Sequence, residues 1–268
     1  MSDMTREQWN VPTFRTDNFA ARSSDNVIVI PVINEGERIR RQLRDMAALG
    51  IANLANVVVV DGGSSDGSLD HDFLREVGVR TLVTKTGPGK LSAQLRCGYA
   101  WSLEQGYTGI VTIDGNGKDG VDTLPRFIDA LDQGFDYVQA SRFIPGGHAE
   151  NTPLSRLLAI RLVHAPLLSV GARYRFTDTT QGYRAYSARY LLDHRVQPFR
   201  DIFVRYELLA YLTVRASQLG YRVKELPTSR AYPKGEKVPT KIAGLPALVD
   251  LVAVALRAAA GRYAPTSA

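Results

Sequence analysis

The chain has 268 residues, 44% of them hydrophobic and 22% charged, with a net charge of +6. That length suits one large α/β domain or two small ones, and the balance is that of an ordinary globular protein. The basic excess favours an anionic substrate or an anionic membrane face, and no Lys/Arg block of the nucleic-acid-binding kind is present. Cys97 is the single cysteine, which excludes an internal disulfide and fits a reducing, cytoplasmic setting.

Residues 1–25 are polar and read as a loosely attached arm without an apolar leader. Residues 27–32 form an apolar run expected to be a buried strand, followed by Asn34-Glu35-Gly36 and a helix over 37–49. A second buried strand, 57–60, ends in the Gly-rich loop Asp61-Gly62-Gly63-Ser64-Ser65-Asp66-Gly67. A helix over 69–77, a strand over 80–84 and a helix over 91–104 follow, and core packing is expected of Cys97 in that last helix. Then come a strand over 109–113, a helix over 124–133 and a strand over 137–140. This alternation predicts an α/β fold with a mostly parallel, doubly wound sheet flanked by helices and right-handed crossovers. Beyond residue 141 the pattern is less regular. Helices are expected over 155–170, with Pro166 kinking or ending the helix, over 189–194 and over 207–219, and a strand over 222–226. Residues 26–241 thus read as one domain, and 242–268 as an amphipathic helix and tail. That helix, 242–260, either packs on the domain or lies on a membrane, with Lys234, Lys237 and Lys241 just before it.

Three strands end in acidic or amide groups at one sheet edge: Asn34 and Glu35, then Asp61, then Asp114. Open α/β sheets bind ligands at that edge. Asp114, with Asn116 and Lys118 on the same loop, suits a diphosphate, with or without a metal ion. Asp61 suits a nucleobase imino group or a ribose, whereas Asp66 reads equally as a ligand or as a helix cap. Neither a Walker loop nor a G-x-G-x-x-G fingerprint is present. Gly87-Pro88-Gly89-Lys90 puts a cation before a helix, where Lys90 is within reach of a phosphate.

Five segments fall in an order that resembles a known family. They are Val29-Ile30-Pro31-Val32-Ile33-Asn34-Glu35, Val58-Val59-Val60-Asp61-Gly62-Gly63-Ser64-Ser65-Asp66-Gly67, Asp114-Gly115-Asn116, Ser141-Arg142-Phe143 and Gln181-Gly182-Tyr183-Arg184-Ala185. Together they resemble the inverting family 2 glycosyltransferases of the GT-A fold. The branch resembled is that of dolichol-phosphate mannose synthase and its bacterial polyprenyl-phosphate relatives. The resemblance implies a donor half over about 26–140 and an acceptor half over about 141–241. It implies a UDP- or GDP-sugar donor, with Pro31, Asn34, Glu35, Asp61, Ser64 and Asp66 around the nucleoside. Asp114 and Asn116 would hold the diphosphate and a Mg²⁺ or Mn²⁺ ion. Arg142, Arg156, Arg230 and Lys241 would receive an acceptor phosphate, with Gln181 and Arg184 beside them, since an arginine fork suits phosphate.

The family usually carries Asp-x-Asp at the diphosphate, often with Gln two residues on, and this chain has Asp114-x-Asn116-x-Lys118. Asn116 still offers a neutral oxygen to a metal, while protonated Lys118 cannot ligate and would instead neutralise the diphosphate. A phosphate acceptor, such as a polyprenyl phosphate, needs no general base. A hydroxyl of a lipid-linked or cell-surface glycan does, and Asp178 is then the first candidate, with Glu207 second. The catalytic set expected is Asp114, Asp178, Arg142 and Lys118. Two other readings remain: a sugar-phosphate nucleotidylyltransferase, which lacks its Gly-rich first loop here, and a non-catalytic nucleotide-binding module. The segment from Arg230 to Lys237 reads as a lid shaped by Gly and Pro. If 242–260 lies on a membrane rather than on the domain, it would attach the chain peripherally to the inner face, and the oligomeric state, homo-oligomer included, is left open.

Overall fold

A computed structural model of the protein describes residues 9–233 and 244–265. The centre of the sheet is built from four parallel strands, β2 (Asn26–Val32), β3 (Asn56–Asp61), β4 (Val79–Lys85) and β5 (Gly109–Thr112). β2, β3 and β5 are buried throughout, as their unbroken apolar sequences require of strands covered on both faces. Successive side chains divide between two cores. Val27, Val29, Val58 and Val60 enter one; Ile28, Ile30, Val32, Val57 and Val59 enter the other.

The second core is closed by α1 (Glu37–Ala48), α2 (His71–Glu76) and α4 (Leu124–Asp132). The first is closed by α3 (Leu91–Glu104), α8 (Glu207–Gln218) and α9 (Gly244–Ala259). Cys97 on α3 is buried, and burial pushes its thiol up to about 12, so it packs rather than reacts.

The remaining strands are β1 (Phe14–Asn18), β6 (Tyr137–Ser141), β7 (His148–Glu150), β8 (Arg184–Ser187), β9 (Val223–Pro227) and β10 (Ser229–Ala231). The large sheet has the order β1-β4-β3-β2-β5-β8-β6-β9. It is mixed, because β1 runs antiparallel to β4, and β8 antiparallel to both β5 and β6. Two sequence expectations change here. The lead-in is not a loose arm throughout: it supplies edge strand β1, and Trp9 stacks on Phe199 at 4.2 Å. The sheet is mostly parallel, as expected, but the polar segment around Gln181-Gly182-Tyr183-Arg184 leads directly into β8, an antiparallel strand that the sequence pattern did not single out.

The helix expected over 155–170 runs as α5 (Leu154–Ala159), a π turn over Ile160–His164, and α6 (Ala165–Ala172). Pro166 neither ends nor interrupts it. It sits in the first turn of α6, directly after the π turn, where a missing N–H is tolerated. α7 (Ala188–Leu192) follows β8. α9 packs on α6 and α8 with Ala255 and Ala258 buried, and Asp250 pairs with Arg205 at 2.8 Å. Of the two readings of 242–260, packing on the domain is the one observed for the described part.

Candidate active site

The strand order puts the ends of β3, β2 and β5 side by side, at the point where successive strands diverge to opposite sides of β2. That is where an open α/β sheet forms its ligand crevice. Two loops meet on the β2–β3 side. Asn34 has φ of +51°, a rare conformation for a side-chain-bearing residue. Its N–H donates to Ser64 Oγ (3.0 Å), and its Oδ1 accepts from Ser65 N (2.8 Å). Asp61 Oδ1 accepts from the N–H groups of Gly63 and Ser64 at 3.1 and 2.8 Å. Asp66 takes the N–H of Gly36 (2.8 Å) and both the N–H and hydroxyl of Ser68. Burial would raise its pKa, but the bonds from Ser68 and Gly36 outweigh that and lower it. Asp66 therefore acts first as the clasp between the two loops. Glu35 forms an ion pair with Arg38 at 2.9 Å, and Pro31 is buried within β2. Gln94 on α3 donates to carbonyls at the ends of both strands, Val32 O, the last of β2, at 2.8 Å and Val60 O, the last but one of β3, at 2.5 Å. Lys90 stands exposed at the N-cap of that helix, one turn before Gln94.

On the other side of β2, Asp114 follows β5. A Cβ on Gly115 would lie 2.7 Å from Val32 Cγ2 and 3.0 Å from Pro31 O, so only glycine lets this loop approach β2 so closely. A Cβ on Gly182 would stand 2.1 Å from Asp114 Oδ1, so the Gln181-Gly182 backbone forms the wall behind the carboxylate. Asp114 Oδ2 meets Arg230 Nη1 and Nη2, each at 3.4 Å, and Asn116 Nδ2 at 3.4 Å. Arg230 also donates to fully buried Asp119 at 2.5 Å. Its backbone is pinned at the same place: Ala231 N donates to Lys118 O and Gly120 N to Ser229 O. Asp119 and Asp114 hold the Arg230 proton more tightly than usual despite burial, and burial raises the Asp119 pKa.

Lys118 sits beside this group, its Nζ 5.3 Å from the ring centre of Tyr232. Arg156 donates to Tyr232 Oη at 3.0 Å, and the Arg156 and Arg230 guanidiniums lie 5.6 and 5.9 Å from the same ring centre. Burial and then the Arg230 charge lower the Lys118 pKa. Burial would raise the Tyr232 pKa, but Arg230 and Arg156 pull it down. Three cations thus gather on one aromatic ring at the lip of the crevice, a setting that an arriving phosphate or diphosphate would relieve. Lys241 and the part of the expected lid beyond residue 233 lie outside the described residues. The part within them is strand-paired: β10 lies parallel to β7.

The expected base is placed differently. Asp178 is fully buried and takes a forked pair of bonds from Arg142, Nε at 2.7 Å and Nη2 at 3.1 Å. Gln181 Nε2 donates to the same carboxylate at 2.7 Å. Burial alone would raise the Asp178 pKa; Arg142 and Gln181 reverse this and lower it. A carboxylate so held is a counter-ion for Arg142, not a proton acceptor in waiting. Arg142 is correspondingly occupied, although its Nη1 is buried without a hydrogen-bond partner. Glu207 accepts from the N–H groups of Val204 and Arg205 at 3.1 and 2.6 Å, which is loop work.

Arg184 was expected beside the acceptor and is instead a core residue. Its guanidinium is spent on Thr179 O, Gln181 O, Leu209 O and Thr213 Oγ1, so it braces α8 against the Asp178 loop. Asp119, Tyr232 and Gln94 carry parts of the site that the sequence reading gave no role. Asp119 had a signal, a second carboxylate at the far end of the Asp114 loop. Gln94 had none.

Asp114 offers one carboxylate to a hard divalent cation when ligand oxygens complete the shell. Asn116, two residues on, turns its Nδ2 to that carboxylate while its Oδ1 accepts from Lys118 N at 3.2 Å, so its oxygen would reach the ion only after the amide turns over. Among the described residues there is no cluster of three or more His, Cys, Asp or Glu that would hold a metal by itself.

The model of the family described as Glycosyl transferase family 2 matches residues 27–195. The chain is 30% identical over 221 residues to polyprenol monophosphomannose synthase of Mycolicibacterium smegmatis, covering 75% of each chain. It is 32% identical over 206 residues to undecaprenyl-phosphate mannosyltransferase of Micrococcus luteus, covering 74% of this chain and 80% of that one. Among solved structures, glucosyl-3-phosphoglycerate synthase from Mycobacterium tuberculosis, in complex with Mn²⁺, UDP and phosphoglyceric acid, has a TM-score of 0.61 at 16% identity. That likeness covers 89% of this chain and 78% of the other and is one of fold. The strand-end carboxylates, the matched segment and these relatives agree: the chain belongs to glycosyl transferase family 2 and has the GT-A fold.

Proposed function

We propose that this glycosyltransferase moves a sugar from a nucleoside diphosphate to a polyprenyl phosphate, with inversion, at a membrane surface. The observation that carries the acceptor class is the state of the carboxylates. Asp178 is committed to Arg142 and Gln181, and Glu207 uses Oε2 to hold the N–H groups of Val204 and Arg205, whereas a phosphate acceptor arrives already anionic and needs no base. The cluster of Arg156, Arg230 and Lys118 on Tyr232 gives that phosphate a place beside Asp114. Relatives named for polyprenol and undecaprenyl-phosphate mannosyl transfer support the same reading.

In this mechanism Asn34, Asp61 and Ser64 orient the nucleoside at the ends of β2 and β3. The acceptor phosphate oxygen attacks the anomeric carbon from the face opposite the diphosphate. The bond from that carbon to the diphosphate oxygen breaks, and the electron pair leaves with the nucleoside diphosphate. Lys118 and Arg230 neutralise the charge that grows there. A Mg²⁺ or Mn²⁺ ion held by Asp114 and Asn116 would add Lewis-acid stabilisation of the same leaving group.

The test is incubation with a panel of UDP- and GDP-sugars and a short prenyl phosphate. Turnover of one donor is expected, and Asp114→Ala should lower it by about a hundredfold or more. No binding or turnover of any donor would sink the reading, and an unimpaired Asp114→Ala enzyme would remove the site assignment.

A further inference from the structure

We infer that the outer face of α5, the π turn and α6 is a docking face for an anionic lipid bilayer, lying in the plane of the membrane. Leu154, Leu158, Leu162 and Val170 are 68%, 47%, 69% and 79% exposed, unusual values for large apolar side chains gathered on one helix. With exposed Pro166 they recur every fourth residue along the helix. In an ordinary α-helix a four-residue repeat drifts by about 40° per step. The π turn over Ile160–His164 holds more residues per turn and takes back part of that drift, which keeps the stripe on one face.

Leu154–Ala172 is long and apolar enough to cross a membrane, but its inward side is committed to the domain. Ile160, Ala165, Leu168 and Ala172 are buried. His164 bonds Thr179 Oγ1 at 2.7 Å, Phe176 N donates to Ser169 Oγ at 3.0 Å, and Gln218 Nε2 donates to Gly171 O at 2.8 Å. Crossing would break all of these, whereas lying flat breaks none.

Charge selects the occupant. Residues 151–177 contain Arg156, Arg161, Arg173 and Arg175 and no Asp or Glu. A second copy docked face to face would bring two such cationic rims together, which is unfavourable, while an anionic lipid surface complements them. Arg156 belongs to the same first turns as Leu154 and Leu158 and is bonded to Tyr232, so the face runs directly into the cation cluster beside Asp114. The use of the face in catalysis rests on the lipid-acceptor reading; its binding to membranes does not.

Co-sedimentation of the full chain with vesicles of phosphatidylcholine and phosphatidylglycerol tests this. The protein should sediment with the mixed vesicles and far less with pure phosphatidylcholine. The double variant Leu158→Glu, Leu162→Glu should lose about tenfold or more in apparent affinity, and Val170→Glu should lose less, both with unchanged melting temperature. A native chain that ignores the vesicles, or a double variant that sediments as well as the native chain, overturns the proposal. So does a native dimer that the double variant turns into a monomer, because a second copy would then cover the face. Turnover of a soluble short prenyl phosphate without vesicles should be equal in the native chain and the variants. If that turnover is absent while vesicle binding persists, the acceptor reading fails and the docking face stands.

Discussion

At the scale of single residues, the site is a set of polar atoms whose partners were fixed by folding. Lys118 stands where the motif resembled often has Gln, and its ammonium shares Tyr232 with two arginines. If it supplies charge otherwise left to a metal, Lys118→Gln should lower turnover or make it depend more strongly on added Mn²⁺. Rates measured with and without EDTA decide this: an unchanged rate and an unchanged EDTA response reject the role. Asp114, Asn116 and Asp61 were legible because each follows an apolar run that ends abruptly, and a strand end at the crevice is a local feature. Arg184 was not legible. Its partners are Thr179, Leu209 and Thr213, and nothing near position 184 announces that they converge there.

At the scale of elements, the loops between strands and helices do the positioning. The β2 and β3 loops hold each other through Asn34, Ser64 and Asp66, and α3 holds both strand ends through Gln94. The approach to β8 supplies the wall behind Asp114. Gly182→Ala would drive a methyl group to 2.1 Å from Asp114 Oδ1, and something must shift. We expect turnover to fall by about tenfold or more, with the melting temperature changed by only a few degrees. A variant as active as the native chain would show that Asp114 can move without penalty. β8 itself was missed in the sequence because its antiparallel course depends on β5 and β6, between which it lies. The π turn was missed for a related reason. Helical periodicity predicts a helix over 155–170, but its register is set by packing against the domain.

At the scale of the whole molecule, buried charges tie stability to pH. Burial, and then the Arg184 charge, push His164 from 6.5 down to about 4, so the unfolded chain binds a proton there that the folded chain refuses. Between pH 6.5 and 4 the unfolded state therefore holds more protons, and stability must fall as pH falls through that window. Asp178 acts in the same direction at lower pH. Its folded pKa is depressed, so its contribution is present above the ordinary carboxylate value of 3.8 and is lost as pH falls through the folded value. Unfolding free energies from urea titrations at pH 7.5 and 5 should differ by up to about 1 kcal/mol per pH unit, and His164→Gln should flatten the slope. An identical slope in that variant would assign the acid sensitivity elsewhere. By itself the sequence determined the α/β class, the central strands, the crevice edge and the order of motifs that marks the family, because these follow from local apolar runs and strand-end polarity. Only the tertiary structure decided that Asp178 is a counter-ion, that Arg184 is core, that Arg230 spans Asp114 and Asp119, and which helix shows an apolar face outward. Each of these depends on groups far apart in the chain, whose meeting is set by sheet order and helix packing.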